Sequence, residues 1–169
     1  MANTFWSEAS IDPARRFRFQ IQIGDLPAFY VKTASMPKAT ISSIEHSYLD
    51  HTFKFPGRVT WDPISVTFVS PSDGTVTKAL SNVLRAAGWT PPESEISATR
   101  SLSKQGFKTA FGSKDVTITL MDAAGAPKET WVLKNSFLTS IDFGGSLDYT
   151  SDELVEISLE IAYDWAQMG

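Results

Sequence analysis

The stretch Leu154-Val155-Glu156-Ile157-Ser158-Leu159-Glu160-Ile161-Ala162-Tyr163-Asp164-Trp165 decides the fold class. Ile157, Leu159, Ile161, Tyr163 and Trp165 alternate with Glu156, Ser158, Glu160, Ala162 and Asp164. A period of two is the strand period, which sends one set of side chains to a core and the other to water. The apolar set through Trp165 is expected to be core, and the opposite face to be wet and acidic.

An acidic face invites a test for carboxylate chemistry. Glu156, Glu160 and Asp164 recur every four residues, which puts neighbours about 13 Å apart along an extended strand. Paired glycosidase carboxylates stand about 5 to 10 Å apart. The spacing favours the solvated side of an amphipathic strand over an acid/base pair.

Similar alternation recurs upstream. Phe17, Phe19, Ile21 and Ile23 predict a first strand ending at Gly24-Asp25, and Phe29 to Thr33 a short second one. A long β segment runs from Ile41 to Phe55, Pro56-Gly57 signals a turn, and Val59 to Val69 returns. Within that return the apolar parity flips from Val59 and Trp61 to Ile64, Val66 and Phe68, so a kink is expected at Asp62-Pro63. Val76, Ala79, Leu80, Val83, Leu84 and Ala87 form a helical stripe over about 75–88, with Ser72 or Asp73 as N-cap and Gly88 past the end. Residues 89–114 carry Pro91-Pro92 and little periodicity, which predicts a long loop with at most a short helix near Ser94 to Leu102. Val116 to Leu120, Glu129 to Leu133 and Phe137 to Phe143 complete the strands. The chain reads as mainly β, a two-sheet β-sandwich or barrel with one flanking α-helix, in a single domain over 1–169 with an N-terminal arm at 1–15.

Composition narrows the function. The 169 residues include eleven Phe, five Trp and four Tyr, a β-rich balance, and carry a formal charge of −4, which disfavours a nucleic-acid-gripping surface. With no cysteine there is no disulfide, thiolate metal site or cysteine nucleophile, which suits folding in a reducing cytoplasm. No secretory signal or membrane-spanning window is recognisable, so no membrane insertion is expected. His46 and His51, five apart in one apparent strand, should point to opposite faces and share no metal. No nucleophile elbow or phosphate-binding glycine loop is present, so neither catalytic residues nor a cofactor is expected.

The segment from Tyr48 to Phe68 (YLDHTFKFPGRVTWDPISVTF) resembles the tail tube proteins of contractile-tailed bacteriophages and related contractile injection systems. Their shared pattern joins an aromatic strand, a basic turn with Pro-Gly or Ala-Gly, and a return strand opening on Trp or Phe followed by Asp. Arg16 to Ile23, Phe29 to Pro37, Val116 to Asp122 and the closing strand follow the family's order, whereas 89–114 has no counterpart. The resemblance implies hexameric rings stacked into a hollow tube inside a contractile sheath, through which DNA is ejected. It further implies as partners the sheath protein, a baseplate initiator, a tail terminator, and a tape measure protein with genomic DNA in the lumen. The location implied is the virion tail, with assembly in the host cytoplasm.

A long hairpin at about 44–62 should project between rings, with Phe53, Phe55, Pro56 and Arg58 near its tip. Tyr48, Phe53, Lys54, Phe55, Pro56, Arg58, Phe5 and Trp6 are the candidate interface residues. Glu156, Glu160 and Asp164 are the candidates for the lumen, where carboxylates would repel phosphates. Two other readings compete. One is a baseplate tube initiator or the tube of an injection or secretion system. The other is a carbohydrate-binding sandwich, disfavoured because Trp61, Trp131 and Trp165 look like core.

Overall fold

In the computed structural model, which describes residues 13–169, ten strands follow one another as β1 (Phe19–Gln22), β2 (Val31–Ala34), β3 (Lys38–Tyr48), β4 (His51–Asp62), β5 (Ile64–Val69), β6 (Val116–Met121), β7 (Pro127–Lys134), β8 (Phe137–Asp142), β9 (Glu156–Ala162) and β10 (Trp165–Met168). Three helices, α1 (Thr75–Ala86), α2 (Glu95–Ala98) and α3 (Lys104–Ala110), lie between β5 and β6. Two antiparallel four-stranded sheets form the body, one ordered β1-β6-β7-β10 and the other β2-β5-β9-β8. Neither closes into a barrel; β3 and β4 pair only with each other.

The alternation in the closing stretch works as expected over β9. Ile157, Leu159 and Ile161 are buried against the partner strands while Ser158 and Glu160 face out. The strand then ends. Tyr163 and Asp164 turn a corner, and β10 continues in the other sheet, pairing with β7. Period-two patterning continues across such a corner although the packing does not. Tyr163 is buried beyond it, but Trp165 is 45% exposed, which corrects its assignment to the core. Trp61 and Trp131 are partly buried against the core.

The parity flip at Asp62-Pro63 has the expected consequence. β4 ends at Asp62 in the hairpin, and β5 begins at Ile64 in the central part of a sheet, burying Ile64, Val66 and Phe68. Helix α1 buries Val76, Leu80 and Val83 of its stripe; its N-cap is Gly74, with the Asp73 carboxylate accepting from the Thr75 amide at 2.9 Å.

The segment 89–114 is more structured than its sequence suggested. Ser94 and Ser103 cap α2 and α3 through their hydroxyls, and α3 buries Phe107 and delivers Phe111 into the core. Its seven residues are too few for a periodic signal, and Gly106 interrupts them because Ala87 of the α1 C-terminus packs against its backbone. Residues 28–30 form a 3-10 turn in place of the first half of the expected second strand, leaving Phe29 exposed.

Candidate assembly surfaces

The hairpin β3–β4 stands apart from both sheets. Its strands pair from Lys38 with Asp62 to Tyr48 with His51, so it is longer than the expected 44–62, and its turn lies at Leu49-Asp50. Leu49 takes φ 53°, a left-handed conformation without the Gly or Asn that would have marked it. Every residue of β3 is exposed, and the ring of Trp61, 6.1 Å from that of Tyr163, ties the base of the arm to the body.

Directly paired residues share a face. Ile44 with Phe55, His46 with Phe53, and Tyr48 with His51 therefore make one side of the outer arm. Glu45 with Lys54 and Ser47 with Thr52 make the other, joined by an ion pair at 3.1 Å and a hydroxyl contact at 3.4 Å. One side carries Ile44, Tyr48, Phe53 and Phe55 with the two imidazoles, and the other is polar. Tyr48, Phe53 and Phe55 are 65%, 50% and 55% exposed, too open for an isolated subunit's core.

Nearer the body the apolar pairs, Ile41 with Val59 and Ala39 with Trp61, occupy the opposite side. The switch happens at a bulge, where Ser42 faces both Gly57 and Arg58 and its hydroxyl accepts from the Arg58 amide at 2.9 Å. A Cβ on residue 57 would run into that hydroxyl, so glycine serves the close approach and not a turn. Pro56-Gly57 is thus a mid-strand bulge, and Phe55, Pro56 and Arg58 sit midway along the arm rather than at its tip. His46 and His51 lie on opposing strands and share a face, which corrects the expectation of opposite faces. Among the described residues, no group of His, Cys, Asp or Glu is arranged to hold a metal ion.

The second surface is the outer face of the β2-β5-β9-β8 sheet. Register places Ser65 beside Glu160, Thr67 beside Ser158, and Ser140 on the far side of Glu160. Glu156 is ion-paired to Lys32 of β2. The result is a wall of small hydroxyls and carboxylates holding Glu156 and Glu160. Asp164 is not part of it. Lying at the β9–β10 corner, it accepts from the Lys104 ammonium at 2.6 Å and the Asn135 amide at 2.8 Å, and these two donors hold its carboxyl below the ordinary range. Phe5 and Trp6 lie outside the described residues.

The sequence reading missed a third surface, the 13-residue loop 143–155 between β8 and β9. The Asp142 carboxylate accepts from the Gly145 and Gly144 amides at 2.8 and 3.1 Å, and Asp148 accepts from the Thr150 amide at 2.9 Å. Those bonds keep both carboxyls below their usual range and shape the loop. Leu147, Tyr149 and Leu154 project outward around an open groove of about 1100 Å³. Strands β1, β10, β2 and β8 are edges of their sheets.

Residues 15–167 match the family model described as T4-like virus tail tube protein gp19. Solved structures with the same fold include a chain of the tube-terminating cap structure of the anti-feeding prophage, at 21% identity and TM-score 0.66 over 100% of this chain and 99% of that one. A chain of the sheath/tube terminator structure of the extracellular contractile injection system PVC aligns at 22% identity and TM-score 0.65, covering 95% and 99%. A chain of the PVC sheath-tube complex in the extended state aligns at 22% and 0.63, covering 93% and 91%. No curated protein matches the chain.

Proposed function

The chain belongs to the T4-like virus tail tube protein family and is a structural subunit of a tail tube, and we propose that six copies close into a ring and that rings stack into a hollow tube within a contractile sheath. The outer arm of the hairpin carries this reading. An aromatic side formed by Ile44, Tyr48, Phe53 and Phe55, outside both sheets and mostly open to water, suits burial by another subunit. Ring closure would also pair the edge strands, removing the open ladders that make isolated sheets sticky.

In this arrangement Tyr48, Phe53 and Phe55 form the ring-stacking contact, Lys54, Pro56 and Arg58 flank it, and Glu156 and Glu160 line the lumen. A carboxylate and hydroxyl wall repels phosphates, so DNA and a tape measure protein slide without adhering. The sheath, a baseplate initiator and a tail terminator are its other partners. It works in the virion tail after assembly in the host cytoplasm, with no catalytic activity.

Electron microscopy of the purified protein, alone and seeded with baseplate, tests the reading. Rings or tubes are expected, and a protein that stays monomeric at high concentration in both conditions refutes it. The likeness to anti-feeding prophage and PVC components favours a second reading, a tube or initiator of an injection device. Native particles containing the chain decide between them: particles with DNA-filled heads mark a virion, and headless ones carrying protein cargo an injection device.

A further inference from the structure

The loop 143–155 and the helical segment carry apolar surfaces of opposite charge. The loop 143–155 contains Asp148, Asp152 and Glu153 and no lysine or arginine. Residues 75–114 contain six lysines and arginines against two glutamates, in a chain whose total is −4; Lys104 and Lys114 are ion-paired to Asp164 and Asp25, which leaves Lys78, Arg85, Arg100 and Lys108 as the remaining cations of the segment. Apolar side chains are exposed at both places: Leu147, Tyr149 and Leu154 on the loop, and Trp89, Ile96 and Leu102 among the helices. Among the described residues, Asp152 and Glu153 have no ion-pair partner, and neither do Arg85, Arg100 and Lys108.

These surfaces lie at opposite ends of the β8–β9 pair. The Lys104 ammonium is 5.6 Å from the Phe137 ring at the start of β8, and Phe107 packs on the same ring at 6.4 Å. The Ser103 amide donates to the Ala87 carbonyl at 3.4 Å, and Ser101 abuts Gly88, so the chain just after Arg100 lies against the end of α1, whose last turn carries Arg85. The loop leaves from the other end, beyond Asp142. The six residues of β8 separate the two by roughly 20 Å.

We propose that the acidic loop of one copy docks on the basic helical flank of a second copy, with Asp152 and Glu153 facing Arg85 and Arg100. A copy displaced along the β8–β9 axis presents its flank to the loop of the first. This is a heterologous contact that leaves a free loop and a free flank for further copies. Opposite charges on apolar surfaces orient the approach and disfavour loop-to-loop pairing. The inference rests on the tube reading, because it supplies one of the contacts that such an assembly needs.

Charge exchange tests it. D152K/E153K and R85E/R100E should each raise the concentration needed for assembly at least about tenfold, and the variant carrying all four changes should restore it. Wild-type assembly should weaken between about 0.05 and 0.5 M salt as the Debye length shortens. Unfolding midpoints read alongside identify variants that fail to fold. Because the chain has no cysteine, D152C and R100C supply a second measurement. Under oxidation a mixture of the two should cross-link into heterodimers, and neither variant alone should. Wild-type tubes with every charge variant assembling normally, or cross-links absent from the mixture, overturn the docking while leaving the tube reading intact. A wild-type protein that never assembles overturns both.

Discussion

Replacing Phe53 and Phe55 together with threonine should abolish ring stacking while leaving the subunit folded. Both rings belong to one side of the outer arm, opposite His46 and Ile44, and are 50% and 55% exposed. A phenylalanine presents about 200 Å², so each leaves about 100 Å² for a neighbour to cover. At about 25 cal/mol per Å² that is about 2.5 kcal/mol per ring and about 5 kcal/mol for the pair at full coverage. With a decade of concentration for each 1.4 kcal/mol, the threshold for stacking should rise about a thousandfold or more. Threonine keeps strand propensity, so the arm should persist. Sedimentation with negative-stain microscopy reads stacking, and thermal unfolding of the unassembled subunit reads stability. The midpoint should stay within about 2 °C of wild type. Stacking at the wild-type concentration would refute the assignment of this face to a contact. A fall in midpoint of core size would instead show the arm to be part of the subunit's own packing.

Gly57→Val should leave the body's urea midpoint unchanged but raise amide exchange in residues 43–56, because the added side chain meets the Ser42 hydroxyl and opens the bulge. Leu159→Ala, at a site 1% exposed, should cost about 2 to 5 kcal/mol in urea unfolding, with protection lost across β5, β8 and β9. Acid should destabilise through Asp62, Asp142, Asp148 and Asp164, whose folded pKa values lie below the ordinary 3.8. A depressed carboxylate contributes stability that is complete above its unfolded pKa and lost as pH falls through the folded one. The urea midpoint should therefore hold from neutrality to about pH 5 and decline below about pH 4; a decline beginning near neutrality would contradict this.

The body was legible in the sequence because its strands and one long helix obey their periods. Ile64, Val66 and Phe68 in β5 and Ile157, Leu159 and Ile161 in β9 alternate and are buried, and α1 buries its stripe. The flip at Asp62-Pro63 marked a true change of environment. Errors arose where one residue type serves two geometries. Pro56-Gly57 looks like a turn, but glycine there admits the Ser42 hydroxyl at a bulge, and the real turn at Leu49-Asp50 has no glycine. Misplacing the turn also put His46 and His51 on one strand and so on opposite faces. Trp165 continues the parity of β9, yet the corner at Tyr163-Asp164 moves it to another sheet and into water. Loop 143–155 had no period to read; its surface depends on where the topology projects it.

The exposure of aromatic residues elsewhere adds to the argument from the hairpin arm. Among the described residues, nine aromatic side chains are exposed and four, Phe68, Phe107, Phe111 and Tyr163, are buried. The remaining buried hydrophobics are aliphatic. Aliphatic side chains fill a core between two sheets, whereas large aromatic rings bury the most area for each rotamer fixed and are enriched where proteins meet. A subunit that worked alone would bury more of these rings. On the proposed assembly, Leu159→Ala should weaken the fold and the Phe53/Phe55 pair should weaken only the tube. Such a subunit with four open sheet edges gains order from its neighbours, because partnerless edges and rings would otherwise pair without register.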